Sequence, residues 1–237
     1  MTDVLLRAES ISKKFGGIAA LQNVSLEVQR GELLAVVGPN GSGKTTLLSI
    51  LLGVVTPTTG SVVLQDHDVT NIPPYGALRR GLSATFQTPR IFETLTVAEN
   101  AELGLRAKNA APRAIAERVH NVLCSLNLES KASHPAYALS VGQRKLLEFR
   151  RAVICQPAIL LLDEPSAGVH PKLLEVFSSE LRAAADKGMA AVVVSHDLPW
   201  IFALCSRVLV LRMGQVWLEG PPESVRVDQR LVEAYLA

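Results

Sequence analysis

The chain has 237 residues, 48% of them hydrophobic, so it is long enough to bury a sizeable core as one large domain or a core with a modest subdomain. Its 24 basic and 22 acidic residues leave a net charge of +2, which provides no overall basic field and disfavours nucleic acid as a partner. The three cysteines, Cys124, Cys155 and Cys205, are odd in number and widely spaced. That pattern argues against a disulfide framework or a zinc site and predicts buried, reduced thiols.

The start of the chain has none of the marks of a secretory signal. Residues 1–10 alternate apolar and charged side chains and contain no continuous apolar core. Later apolar runs, such as 159–162 and 190–194, are far shorter than the roughly 20 residues that a membrane helix requires. We therefore expect no signal peptide, and any membrane role to depend on a partner.

The first quarter of the chain predicts a small antiparallel unit followed by a buried strand, a loop and a helix. Period-2 alternation marks strands at residues 5–11 and 24–28. Residues 33–37 are continuously apolar, as in a parallel strand buried on both faces. A helix is expected at 45–52 and another short strand at 60–64.

The middle of the chain, residues 96–154, changes to helical patterns. Thr96 followed by Glu99 is a capping box, which predicts the start of a helix. Farther on, five apolar residues fall on one helical face: Ile115, Val119, Val122, Leu123 and Leu126. These signals predict a helical subdomain in this stretch, whose helices are by default ordinary core-facing ones.

Strands and helices alternate again in the last third of the chain. Residues 158–162 and 190–195 read as buried strands on either side of a helix at 172–185. Such alternation implies a parallel sheet with right-handed crossovers, so the fold class is α/β. Residues 207–213 and 216–219 predict a late hairpin.

The glycine-rich loop after the strand at 33–37 matches the phosphate-binding pattern G-x-x-x-x-G-K-[ST]. Its strand–loop–helix setting favours a P-loop over the alternative, a glycine-rich turn. Lys44 is expected to reach the β- and γ-phosphates and Thr45 to hold Mg²⁺. The residues expected to bind the nucleotide here are Gly38, Pro39, Asn40, Gly41, Ser42, Gly43, Lys44, Thr45 and Thr46.

Polar side chains follow the other predicted strands. Asp163 and Glu164 end an apolar strand, where ligands bind in open α/β folds. Asp163 fits the role of a Mg²⁺ ligand, and Glu164 that of a group that orients or deprotonates a water. His196 is a candidate γ-phosphate contact, and Gln87, after residues 83–86, a candidate for contact with Mg²⁺ or the attacking water. Alone, each of these has a structural explanation; together with a P-loop they indicate a catalytic site.

A second anion site is possible at Ser140, which precedes an amphipathic helix. Ser140 reads as an N-cap, and that is the default interpretation. The alternative is that the exposed amides behind it bind a phosphate that the P-loop does not cover.

These motifs stand in an order that resembles the nucleotide-binding subunit of an ABC transporter: the P-loop, Gln87, the Leu-Ser-x-Gly-Gln stretch at 139–143, Asp163-Glu164 and His196. The likeness covers nearly the whole chain. It implies a P-loop NTPase fold with a RecA-like core, an N-terminal antiparallel β subdomain and an inserted helical subdomain. Residues 1–237 would then form one ATPase domain, with 1–87 and 155–237 as the core and 88–154 as the helical insertion.

The resemblance also implies roles and partners. ATP, with Mg²⁺, would lie in a head-to-tail dimer, homomeric or heteromeric, closed by Ser140, Gly142 and Gln143 of the other subunit. Phe15 would stack on adenine, Glu164 would be the catalytic base, and His196 the switch histidine. The chain departs from many relatives in carrying Val141 within the signature stretch and His170 in the loop after Glu164; the second departure puts that loop's usual cross-dimer contact in doubt.

Within this family, the sequence resembles the importer subgroup that serves branched-chain amino acids, urea and similar small polar solutes. The resemblance lies in residues 15–21, 85–100 and 234–236. This implies permease subunits, a solute-binding protein and a peripheral position on the cytoplasmic face of the membrane. Phe92 and Leu95 are candidate contacts for the permease, or merely pack the helical subdomain. An exporter ATPase of the lipid or lipopolysaccharide type would share every catalytic motif and is the alternative.

Overall fold

The computed structural model describes residues 3–107 and 111–236. The strands are β1 Val4–Phe15, β2 Ile18–Gln29, β3 Leu33–Val37, β4 Thr59–Leu64, β5 His67–Asp68, β6 Leu82–Thr85, β7 Ile159–Asp163, β8 Ala190–Val194, β9 Arg207–Arg212 and β10 Gln215–Gly220. The α-helices are α1 Lys44–Leu51, α2 Pro74–Arg79, α3 Val97–Ala107, α4 Pro112–Ser125, α5 Val141–Val153, α6 Pro171–Ala185, α7 Leu198–Leu204, α8 Pro222–Val227 and α9 Gln229–Tyr235. Among these described helices, none combines the length and the apolar character needed to cross a membrane.

Two sheets organise these elements. One is an antiparallel sheet in the order β2-β1-β4-β5. The other has the order β10-β9-β3-β8-β7-β6, in which the β9–β10 pair is antiparallel and every other pair is parallel. The α/β class, the N-terminal antiparallel unit, the parallel sheet and the late hairpin are therefore confirmed.

The parallel strands are continuously apolar because both of their faces are buried. Ala35 and Val37 belong to the core shared with helices α3 to α6, whereas Leu34 and Val36 belong to the core shared with α1 and the antiparallel sheet. The other central strands divide between the two cores in the same alternating way. The sheet is thus the middle layer, and a hydrophobic core packs on each of its faces.

The first two strands are longer than predicted. Each has 12 residues, whereas the sequence pattern marked only 5–11 and 24–28. Register shifts interrupt their pairing, and Ser10 and Asn23 have φ values of 51° and 52°. Such irregularities break period-2 alternation, so the pattern ended before the strands did.

Other bounds and details differ more modestly. The strand β8 ends at Val194 rather than at residue 195, and α1 begins at Lys44 rather than at residue 45. The prediction of three buried thiols is wrong for Cys124, which is only partly buried. It lies near the end of α4 at a partly open position, with its Sγ 3.5 Å from Nε2 of His120.

Helices α3, α4 and α5 lie together within residues 88–154, where the sequence predicted a helical subdomain. Helix α3 packs against both α4 and α5. Their apolar side chains continue into the core of the sheet. The division of the chain at residues 87 and 154 stays a prediction.

Candidate ATP site

The loop between β3 and α1 requires glycine at two positions. Gly38 has φ 147°, and a Cβ atom there would lie 2.2 Å from the carbonyl oxygen of Leu211. Gly43 has φ 105°, and its Cβ would lie 2.7 Å from the carbonyl oxygen of Ala20. Both contacts are too close for any side chain, so glycine is what allows the loop to wrap the N-terminus of α1. The amides at that helix end provide a site suited to phosphate.

Lys44 lies folded against this loop. Its side chain is buried, and its Nζ donates to the carbonyl oxygens of Gly38 at 2.7 Å and Pro39 at 2.8 Å. Burial lowers the pKa of Lys44, and the negative charges of Glu164 and Asp163 oppose that shift. The hydroxyl of Ser42 is also buried and has no hydrogen-bond partner among the described residues. A cation and an unsatisfied hydroxyl thus lie in the loop that the sequence assigned to phosphate.

Two carboxylates face this loop from the end of β7. Burial raises the pKa of Asp163, and the charge of Glu164 raises it further. Glu164 follows with φ 48°, a left-handed conformation that is strained for a non-glycine residue. Its N–H donates to the carbonyl oxygen of Val194 at 2.9 Å, which holds the strained residue against the end of β8. A pair of acids at this place suits a divalent cation and a reacting water.

His196 contacts one of these acids directly. Its Nδ1 lies 2.8 Å from Oε2 of Glu164, and its backbone N–H donates to the same oxygen at 3.3 Å. The Glu164 side chain is 12% exposed, whereas the imidazole is 67% exposed. The ring therefore orients Glu164 and leaves its other edge open to solvent. Its predicted contact with the γ-phosphate stays a prediction.

A cleft of about 230 Å³ joins most of the predicted residues. Its lining includes Asn40, Gly41, Gly43, Lys44, Thr45, Thr46, Gln87, Asp163 and Glu164. Gln87 enters from beyond β6, the strand next to β7, so parallel neighbours bring it to the same edge of the sheet. The remaining P-loop positions, Gly38, Pro39 and Ser42, lie in the loop but not in the cleft lining.

Phe15 lies apart from this cleft, at the end of β1. The residue is 49% exposed, and Nζ of Lys13 lies 5.0 Å from the ring centroid. An exposed ring can take a planar base on one face. Contact with adenine stays a prediction.

The signature residues also lie outside the cleft of their own chain. Ser140 is the N-cap of α5: its hydroxyl accepts from the N–H of Gln143 at 3.3 Å, and Oε1 of Gln143 accepts from the N–H of Ser140 at 3.1 Å. The predicted N-cap is therefore present as a full capping box. A Cβ on Gly142 would lie 3.2 Å from Leu173, so the helix end packs closely on α6. These residues present an exposed helix end rather than completing the chain's own site.

Three residues near the site escaped the sequence prediction. Lys145 donates from Nζ to the carbonyl oxygens of Glu164 at 2.9 Å and Ala167 at 2.6 Å. The hydroxyl of Tyr235 accepts from the N–H of Gly38 at 3.0 Å, although the two are 197 residues apart. Glu148 is buried on α5. Charged residues beside the apolar stretch at 146–147 were a usable signal for Lys145 and Glu148. For Tyr235, the resemblance at 234–236 indicated no contact with the P-loop.

A P-loop after β3, with two acids at the end of β7 two strands away in the same sheet, defines a nucleoside-triphosphate-binding ATPase of the P-loop class. Comparison with known proteins gives the family. A model described as "ABC transporter" matches residues 21–167, and the chain belongs to this family. It is an ATP-binding subunit, and cassettes of this family hydrolyse ATP to drive transport.

Individual relatives in this family align with nearly the whole chain. The chain is 33% identical to the high-affinity branched-chain amino acid transport ATP-binding protein LivG of Salmonella typhimurium, covering 100% of this chain and 99% of the relative. It is 31% identical to the lipopolysaccharide export system ATP-binding protein LptB of Acidithiobacillus ferridurans, covering 98% and 96%. Among solved structures it is similar to the ADP conformation of MJ1267, an ATP-binding cassette of an ABC transporter, with a TM-score of 0.87, 32% identity and 100% of each chain covered.

Proposed function

We propose that this chain energises the uptake of branched-chain amino acids or a similar small polar solute such as urea or an amide. The observation that carries this proposal is the likeness to a branched-chain amino acid transport subunit across essentially both full lengths. Subunits of this family work as dimers with membrane-embedded permeases. The chain accordingly acts at the cytoplasmic face of the membrane, bound to permease subunits, together with a solute-binding protein and without nucleic acid.

The residues at the cleft fit MgATP. Lys44 leaves the carbonyls of its own loop to bind the β- and γ-phosphates, and the buried hydroxyl of Ser42 lies in the same loop. Thr45, Gln87 and Asp163 line one cleft and offer the oxygen ligands that Mg²⁺ prefers. Held by these residues, Mg²⁺ would neutralise negative charge on the phosphates. Phe15 stacks on the adenine.

Hydrolysis follows from the position of Glu164. A water oxygen forms a bond to the γ-phosphorus while the bond from that phosphorus to the bridging oxygen of ADP breaks. Glu164 accepts the proton that the water loses, and His196 holds the carboxylate in place through its 2.8 Å contact. The products are ADP and inorganic phosphate.

The second subunit completes the site. Ser140, Gly142 and Gln143 lie outside their own chain's cleft and form an exposed helix N-terminus. Such an end suits a phosphate, and a head-to-tail dimer places it over the partner's P-loop. The capping box keeps this helix end ordered before the dimer closes.

An exporter role is the second candidate, because the chain is 31% identical to a lipopolysaccharide export ATP-binding protein over 98% of its length. The test is to purify the chain with the permeases encoded beside it and to reconstitute the complex in liposomes. We expect solute-loaded binding protein to stimulate ATP hydrolysis. Stimulation by lipopolysaccharide instead, with no response to amino acids or amides, would establish the exporter.

The dimer has its own test in the Glu164→Gln background. Ser140→Arg should abolish ATP-dependent dimerisation, measured by light scattering, while leaving ATP binding to the monomer intact. Ser179→Arg, at an exposed serine on α6, serves as the matched control. Dimerisation that survives Ser140→Arg would refute the shared site.

A further inference from the structure

Glu148 on α5 is a buried carboxylate bound to the backbone of another segment. It is 3% exposed. Its Oε1 accepts from the N–H of Arg90 at 2.7 Å, and its Oε2 accepts from the N–H of Phe86 at 3.4 Å. These two donors flank Gln87 in sequence. A single side chain of the signature helix therefore holds both sides of the loop that carries Gln87 into the ATP cleft.

The same loop is held at its outer end by neighbouring side chains. Arg151, one turn after Glu148 on α5, donates to the carbonyl oxygen of Arg90, and its guanidinium lies 5.8 Å from the ring centroid of Phe92. The buried Asn100 accepts from the N–H of Phe92 at 2.9 Å and donates to its carbonyl oxygen at 2.9 Å. Phe92 itself is 56% exposed. The backbone is thus anchored while the aromatic ring remains open to a partner.

The other end of α5 is bound to the catalytic carboxylate's own segment. Lys145, one turn before Glu148, donates to the carbonyl oxygens of Glu164 and Ala167. Ser140 caps the same helix. One rigid helix therefore connects the loop around Gln87, the segment after Glu164 and the helix end proposed to meet the partner's ATP.

Burial explains why the link to the loop is stiff. Removal from water raises the pKa of Glu148, and the N–H groups of Arg90 and Phe86 and the charges of Arg151 and Lys145 counteract this. If the loop moved without α5, a desolvated carboxylate would lose its hydrogen-bond donors, and an unsatisfied buried charge is costly. The loop and the helix therefore move together more readily than apart.

We propose that Glu148 is a positioning residue that makes the segment Phe86–Phe92 and the signature helix move as one unit. A permease segment that docks on the exposed ring of Phe92 then shifts Ser140 relative to the partner subunit's ATP. This coupling role rests on the proposed function as a transporter subunit. It assigns no chemistry to Glu148, which acts only through the elements that it joins.

The test compares Glu148→Ala and Glu148→Gln with wild type. The measured quantity is the ratio of ATPase activity in the solute-stimulated complex to that of the subunit alone. We expect Glu148→Ala to lower this ratio at least 5-fold with the Kd for MgATP changed less than 2-fold. Glu148→Gln keeps one amide oxygen as an acceptor, so its ratio should fall between those of wild type and Glu148→Ala.

Glu180→Ala is the matched control, because Glu180 pairs with Arg150 of the same helix and, among the described residues, makes no hydrogen bond or ion pair with Phe86, Arg90 or Phe92. We expect it to change the ratio less than 2-fold at a comparable loss of thermal stability. Equal loss of basal and stimulated activity in Glu148→Ala, leaving the ratio unchanged, would overturn the proposal and leave Glu148 a purely structural residue.

A second readout separates this proposal from the proposed function. If the wild-type complex shows no stimulation, the transport function fails, but amide hydrogen exchange on the subunit alone still tests the link. MgATP should slow exchange in both 86–92 and 140–144 in wild type, and in 86–92 alone in Glu148→Ala, because only 86–92 reaches the subunit's own ATP cleft directly. Identical responses of both segments in the two proteins would refute the link itself.

Discussion

Nδ1 of His196 lies 2.8 Å from Oε2 of Glu164, and the backbone N–H of His196 approaches the same oxygen. The histidine follows β8 and the glutamate follows β7, so the contact depends on the parallel pairing of these two strands. It leaves Oε1 of Glu164 for the reacting water that we propose. A general base is effective only when its carboxylate is held at the right place, and this contact supplies that constraint.

Glu164→Gln should therefore bind MgATP with near-normal affinity and lose at least about 100-fold in kcat, since an amide cannot accept the proton. The kcat of His196→Ala should fall roughly 10- to 100-fold, because the base remains but is less well oriented. Steady-state ATPase assays with the partner subunits measure both. His67→Ala, at an exposed site on β5, is the control. Near-normal turnover by Glu164→Gln would remove Glu164 from the base role.

Asp163→Asn should stabilise the fold while abolishing Mg²⁺-dependent hydrolysis. Burial and the charge of Glu164 raise the pKa of Asp163 in the folded protein. A raised folded pKa means that the carboxylate costs stability at neutral pH, and that this cost disappears as pH falls below the ordinary value of 3.8. We expect a gain of roughly 0.5–2 kcal/mol at pH 7 that shrinks on acidification. Urea unfolding at several pH values checks the direction; a loss of stability at pH 7 would contradict it.

His170→Asp should strengthen the start of α6. At present Nδ1 of His170 accepts from the N–H of Lys172 at 3.3 Å, a long N-cap bond. Asp is a better cap, and its negative charge is favourable at a helix N-terminus. We expect the free energy of unfolding to rise by about 0.5–1 kcal/mol, which corresponds to a rise in Tm of about 1–4 °C for a chain of this size. His170→Asn separates the cap from the charge, and no rise in either variant would show that the cap contributes little.

Tyr235→Phe should loosen the P-loop from the C-terminal helix. The hydroxyl of Tyr235 accepts from the N–H of Gly38, the first residue of the loop. Its loss should cost about 1 kcal/mol of stability and weaken MgATP binding a few-fold. Tyr75→Phe, at a residue that is 68% exposed, is the control. Calorimetry measures the stability and nucleotide titration the affinity for MgATP. Equal values for the two variants would contradict a stabilising role of the contact between Tyr235 and Gly38.

The local sequence patterns were sufficient to predict the elements that hold the candidate site residues. A continuously apolar run leading into Gly38–Thr45 identified the P-loop, and a similar run identified Asp163 and Glu164 at a strand end. Such signals are readable because side-chain periodicity within one strand or helix depends on near neighbours in sequence. Alternation was lost where β1 and β2 change register, so their lengths were underestimated.

By itself, the sequence determined the α/β class, the order of the motifs and the residue types available to bind phosphate. Only the tertiary structure decided which of them meet: the order β3-β8-β7-β6 places the P-loop, His196, Glu164 and Gln87 along one edge, although these residues are far apart in the chain. It also decided that Glu148 joins α5 to Phe86 and Arg90, and that Tyr235 reaches Gly38. Strand pairing and burial arise from packing between distant segments, and no periodicity within a segment records its distant partner.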